Sequence, residues 1–229
     1  MPDPVLTQRT AGTSTTAATT VSFSAQAAGS LLLLCVVADA YRTTSGSGRP
    51  ESTGWTNVQA REHNAGHYMW YKIADGSETS VQYTLTGTFI SAHWLGSASD
   101  VDTGSPLDTS TGQSSFSDAT SYTTGVITPS AGRRLLVASM GACRFSNANL
   151  TGQSSWLNSY TEVGDQVAAS GSTSNSLGVA WLVADGGSAT SSGSSFGGTS
   201  QGTSGMVAAF RASTAAPASL PSLVMATRR

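Results

Sequence analysis

The chain has 229 residues, of which 38% are hydrophobic and only 10% charged, and its net charge is −2. A soluble domain is typically about a quarter charged; here Ser, Thr, Gly, Asn and Gln carry the polarity, a composition unusual for a cytoplasmic enzyme and suited to neutral surfaces that meet neighbours at low desolvation cost. No basic patch stands out, which argues against nucleic acid as a partner, and no apolar run approaches the roughly 20 residues needed to span a bilayer, so no membrane is expected.

The opening stretch MPDPVLTQRT has no charged segment followed by an apolar run, so no secretion signal is expected. Residues 1–18 read as an N-terminal arm in which Pro2, Val5 and Leu6 are candidate partner contacts. Residues 20–24 alternate as a strand does. The run 31–38, which contains Cys35, is continuously apolar and fits a strand buried on both faces. Strands are expected at 55–61 and 68–74, with a turn at Asn64-Ala65-Gly66 between them. In 81–86, Val81, Tyr83 and Leu85 share one face, and Gln82, Thr84 and Thr86 the other. A strand at 89–97 follows. Residues 100–121, rich in Asp, Thr, Ser and Gly, read as a surface loop with one short strand. Further strands are expected at 135–142, 155–163, 177–184 and 206–212. No long stretch carries helical periodicity. Residues 214–229, with Pro217 and Pro221, read as an extended C-terminal arm. Free tails fray, so a partner or a neighbouring copy is expected to hold this one through Leu220, Leu223, Val224, Met225, Arg228 and Arg229.

The two halves repeat each other. Ala28-Gly29 before Leu31-Leu32 matches Ala131-Gly132 before Leu135-Leu136, and Trp55 matches Trp156. Tyr71-Lys72-Ile73-Ala74-Asp75-Gly76 matches Trp181-Leu182-Val183-Ala184-Asp185-Gly186, and Ala98-Ser99 matches Ala212-Ser213. The order is kept while the spacing drifts, as small loop insertions between two copies of one unit would produce. The expected fold is all-β: a jelly-roll-like antiparallel β-sandwich over 19–213, with related halves at 19–99 and 122–213 facing each other. Two small sandwiches in series are the alternative.

Candidate chemistry is sparse. Gly193-Ser194-Ser195-Phe196-Gly197 matches a nucleophile-elbow pattern, but no helix pattern follows it and Ser and Gly are abundant. His63 and His67 stand on either side of a turn, and surface or subunit-interface positions are expected for them and for His93. Asp100, Asp102 and Asp108 could bind calcium through carboxylates and backbone carbonyls, but the EF-hand spacing with its closing Glu is absent, and Asp and Gly are also good turn formers. Glu51, Glu62, Glu78 and Glu162 lie beside turns or at strand ends, and Asp75 and Asp185 fall in equivalent turns of the repeat. The tryptophans read as core and Tyr68, Tyr71, Tyr122 and Tyr160 as nearer the surface. Cys35 and Cys143 read as buried thiols, with a bridge left open. No residue is assigned a catalytic, cofactor-binding or metal-binding role.

The sequence from Ala28-Gly29 and Leu31-Leu32-Leu33, through Gly54-Trp55-Thr56, Tyr71 to Gly76 and Tyr83-Thr84-Leu85, to Trp94-Leu95-Gly96 resembles β-sandwich modules of tailed bacteriophages. These occur in minor tail, tail-fibre and capsid decoration proteins, notably of phages of actinobacteria. The resemblance covers roughly 22–213 and consists of fold-forming positions. It implies a non-enzymatic structural protein of the virion surface, decorating or projecting from the capsid. Its implied partners are itself, as a trimer or other symmetric homo-oligomer, and the major capsid protein or tail proteins. Two other functions remain open: a minor tail or tail-tip protein that binds host-surface glycan, and a hydrolase of cell-wall polymers.

Overall fold

The computed structural model describes residues 3–39, 41–42, 49–62, 66–86, 90–146 and 149–214. The first half contains β1 (Leu6–Ser14), β2 (Ala18–Ser22), β3 (Leu31–Ala38), β4 (Tyr41–Arg42), β5 (Thr56–Glu62), β6 (Gly66–Ile73), β7 (Ser80–Thr86) and β8 (Ser91–Ala98). The second contains β9 (Leu107–Ser115), β10 (Ala119–Thr123), β11 (Arg133–Arg144), β12 (Gln153–Ser154), β13 (Thr161–Ser170), β14 (Thr173–Asp185), β15 (Gly193–Ser200) and β16 (Gly202–Arg211). Apart from a 3-10 turn at Pro50–Thr53, the described residues hold no helix.

Each half builds two antiparallel sheets. The first has the order β1-β8-β3-β6-β5, backed by β2-β7-β4; the second has β9-β16-β11-β14-β13, backed by β10-β15-β12. Every strand of the first half thus has its counterpart eight strands later in the same place, and the repeat read from a few motifs extends to the whole topology. The orders 1-8-3-6 and 2-7-4 are those of a jelly roll. The fifth strand folds back on β6 and joins the larger sheet.

Alternation along β3 explains how the layers stack. Leu31, Leu33, Cys35 and Val37 enter the core between the two five-stranded sheets, while Leu32, Leu34, Val36 and Ala38 enter the core beneath β2-β7-β4. All eight are fully buried. Along β11, Leu135 and Val137 face the first half and Leu136 and Ala138 face β10-β15-β12. The molecule therefore has four layers, of three, five, five and three strands. Each half is a jelly-roll sandwich, and the two related halves face each other across a core between their large sheets, as the expected all-β sandwich requires. What the halves share is the contact between their large sheets.

That contact has the form of a two-fold. β1 meets β13 while β5 meets β9, and β3 meets β11 at the centre. Leu31 pairs with Ile73 as Leu135 pairs with Val183, which makes Cys35 the counterpart of Ser139 and Val37 that of Gly141. A methyl on Gly141 would come within 3.0 Å of Val37 Cγ2, so these counterparts stack on one another. The arrangement is that of an isologous dimer written into one chain.

Three expectations change. Residues 6–14 do not form an arm: β1 is hydrogen-bonded along β8 from Leu6↔Ala98 to Ser14↔Ser91. The stretch 100–121 holds more than one short strand: 107–115 form β9, a nine-residue edge strand paired with β16, and β10 begins at Ala119. No strand occupies 155–160, where Ser155, Asn158 and Ser159 all have positive φ; β13 starts only at Thr161.

The registers place one set of chain connections together. Leu6, Leu31, Ile73 and Ala98 lie at one end of the first large sheet, and Leu107, Arg133, Asp185 and Arg211 at the same end of the second. The crossover ties them: Asp102 N donates to Arg211 O, and Ser213 N to Asp100 O, both at 2.8 Å. The N-terminal segment, the crossover and the exit of the C-terminal segment thus share this end, here called the base.

Candidate interaction surfaces

The large sheets enclose one polar spot. His67 on β6 is fully buried, its Nδ1 2.7 Å from Ser204 Oγ and its Nε2 2.8 Å from Ser139 Oγ, so both ring nitrogens engage hydroxyls of the other half. Burial holds its pKa down to about 3, and the ring is neutral. Arg61, its cross-strand neighbour on β5, is turned to the Gly112 carbonyl of β9. A nucleophile–base pair needs access for a substrate; this His–Ser contact is sealed between sheets and acts as a structural link. Cys35 is a free thiol in the same core, pushed up to about 12 by burial, and Cys143 is likewise free and raised. Cys35 lies against Ser139 and Cys143 against the Ala38 carbonyl at 3.7 Å, so the two sit apart along β11 and form no bridge.

At the base, Asp108 on β9 accepts from Arg134 Nε at 2.9 Å and Arg211 Nη2 at 2.8 Å, and from the Ser130 hydroxyl and amide. Burial alone would raise this carboxyl, but the Ser130 and Arg134 bonds outweigh it and bring it to about 2. Asp102 accepts from Gly104 N at 2.9 Å and Asp100 from Ser99 Oγ at 2.7 Å. The three aspartates therefore serve different partners. Among the described residues no group of three or more His, Cys, Asp or Glu side chains is placed to hold a metal.

Two depressions open beside this network. One, of about 270 Å³, is lined by Asp102, Gly132, Arg133, Arg134, Arg211 and Thr214 among others. The other, of about 230 Å³, lies between residues 3–5 and the end of β14, with Val5, Trp181, Leu182 and Val183 as apolar walls. Arg133 borders both, and pairs with Asp3 at 2.7 Å.

Of the residues singled out from sequence as partner contacts, Val5 is 53% exposed on the rim of the second depression. Leu6 is buried at the start of β1 and has no surface to offer, because it anchors that strand in the core between the large sheets. Pro2, Leu220, Leu223, Val224, Met225, Arg228 and Arg229 lie outside the described residues, as does His63. Gly193 to Gly197 run through β15, paired with β10 and β12, and form no strand-to-helix elbow. His93 is buried against Tyr83, which contradicts a surface position; Tyr68 is also buried, stacked on Trp70 at 5.3 Å. Trp55, Trp70 and Trp94 are core residues, as expected. Sequence reasoning missed the Arg134–Asp108–Arg211 network, for which no local signal exists: its members come from three strands. No family model, no curated protein and no solved structure matches the chain.

Proposed function

We propose that the chain is a non-enzymatic structural protein of a tailed-phage particle, held by its base, with its outer sheets against neighbouring subunits and its opposite end toward the surroundings. The observation that carries this reading is the tandem of jelly rolls with the N-terminal segment, the crossover and the exit of the C-terminal segment gathered at one end. Jelly rolls recur in viral capsid proteins and lectins, though a fold carries function only through its surfaces. The surfaces here support the reading: β10 exposes Thr120, Ser121 and Thr123, neutral groups that shed water cheaply when covered by another subunit. The resemblance of Gly54-Trp55-Thr56 and Trp94-Leu95-Gly96 to phage sandwich modules points the same way.

The test is to purify particles made with and without the chain, image them, and challenge them with heat and osmotic shock. The expected result is density for the chain on the head, base inward, and a loss of resistance in particles lacking it. Unchanged resistance with lost adsorption to host cells would replace head decoration with glycan recognition at the tail. Absence of the chain from purified particles would overturn both.

A further inference from the structure

The ladder between β13 and β14 stops at Thr161↔Trp181, yet β14 runs on to Asp185, paired with β11 alone. Residues 182–185 therefore turn one backbone edge outward. The first half ends its outer ladder at the equivalent register. Beyond Thr56↔Tyr71 the turn Pro50–Thr53 packs on β7, and the Lys72 side chain crosses to its Thr53 carbonyl at 3.4 Å. In the second half the matching segment, 155–160, leans in the same way on β15, where Leu157 N donates to Gly193 O. What remains beside β14 is the 230 Å³ depression walled by Val5, Trp181, Leu182 and Val183. An open sheet edge with apolar walls is the geometry that accepts an added strand.

We propose that this edge is taken by the same molecule's own segment 222–227, Ser222-Leu223-Val224-Met225-Ala226-Thr227, laid alongside residues 182–185. Thr214, the last described residue, lines the neighbouring depression, and Arg133 joins that depression to the acceptor groove. The eight steps from Thr214 to Ser222 reach up to about 28 Å when extended, ample for adjoining sites. Segment 222–227 contains no proline, so none of the alternate amides that would face the edge is missing, and Leu223, Val224 and Met225 supply apolar side chains for the walls. The following Arg228 and Arg229 would reach Asp185 and Asp3, two carboxylates that share the single cation Arg133 and whose side chains are 80% and 54% exposed. This docking does not depend on the virion reading.

Hydrogen exchange read by mass spectrometry tests it, comparing the full chain with a chain ending at Thr214 at two protein concentrations. Those amides of 182–185 that point away from β11 are expected to exchange at least about tenfold more slowly in the full chain, independently of concentration. The protection should vanish in the shortened chain and in a Leu223→Asp/Met225→Asp variant, while β3 and β11 stay protected in all. A synthetic peptide of residues 220–229 should restore it to the shortened chain. Equal exchange in the full and shortened chains would overturn the proposal. Protection that grows with concentration would also overturn it, assigning the groove to another copy's segment.

Discussion

His67 makes the stability of the protein depend on pH in a direction fixed by its burial. The unfolded chain takes up a proton near pH 6.5, while the folded chain refuses it until about pH 3. Stability is therefore complete above 6.5 and drains away as the pH falls toward 3, by up to about 1.4 kcal/mol per pH unit. His93, lowered by burial to about 4, adds a second slope that ends earlier. His67→Leu should roughly halve the pH dependence of urea stability between about pH 6 and 4.5; an unchanged slope would mean the ring is not shielded. Asp108 acts in a separate window. Its depressed carboxyl contributes fully above its ordinary value of 3.8 and is lost only as the pH falls through about 2. Asp108→Ala should cost about 3–5 kcal/mol at neutral pH, because Arg134 is left buried with no counter-charge; denaturant midpoints report it directly.

At the scale of strands, tight packing and plain polar sequence have different consequences. Gly96 on β8 has no room for a methyl, which would lie 2.1 Å from Trp94 Cη2 and 2.9 Å from the Thr7 carbonyl. Gly96→Ala should lose about 1–3 kcal/mol in thermal unfolding, since Trp94 is buried and its Nε1 is fixed to Gln8 Oε1 at 2.9 Å. Strands such as β3, β6, β7, β8 and β11 were legible in the sequence because their apolar residues fill one core or two. β1, β9 and β15 were not, since TQRTAGTS, DTSTGQSS and GSSFGGTS lack apolar alternation. Their neighbours make them strands: each pairs along a partner whose position the core has already set, and tertiary context overrides weak propensity. The open edge of β14 was equally invisible. It arises from where β13 starts relative to where β14 ends, a register that local composition does not encode.

Across the whole molecule, the two-fold contact is deliberately unequal. By register, the counterparts of His67, Ser139 and Ser204 are Leu177, Cys35 and Ala92, all members of the apolar core. One side of the pseudo-axis thus holds a hydrogen-bonded histidine and the other an apolar cluster. If two copies of the first half paired, His67 would meet Cys35 and Ala92 and lose both hydroxyls, leaving buried ring nitrogens unsatisfied at about 1–3 kcal/mol each. The halves are matched to each other rather than to themselves. Separately produced halves mixed in equal amounts should form the mixed pair in preference to either like pair by native mass spectrometry. Ser139→Cys/Ser204→Ala in the second half should remove the preference.

The gathering of the N-terminal segment, crossover and C-terminal exit at the base leaves the turn between β13 and β14 at the opposite pole. There the hairpin from Ser170 to Thr173 is closed by Gly171-Ser172, and the space around Gly171 is open. A foreign peptide spliced between those two residues would be carried outward, a full strand's length from any tether, with neither sheet register disturbed.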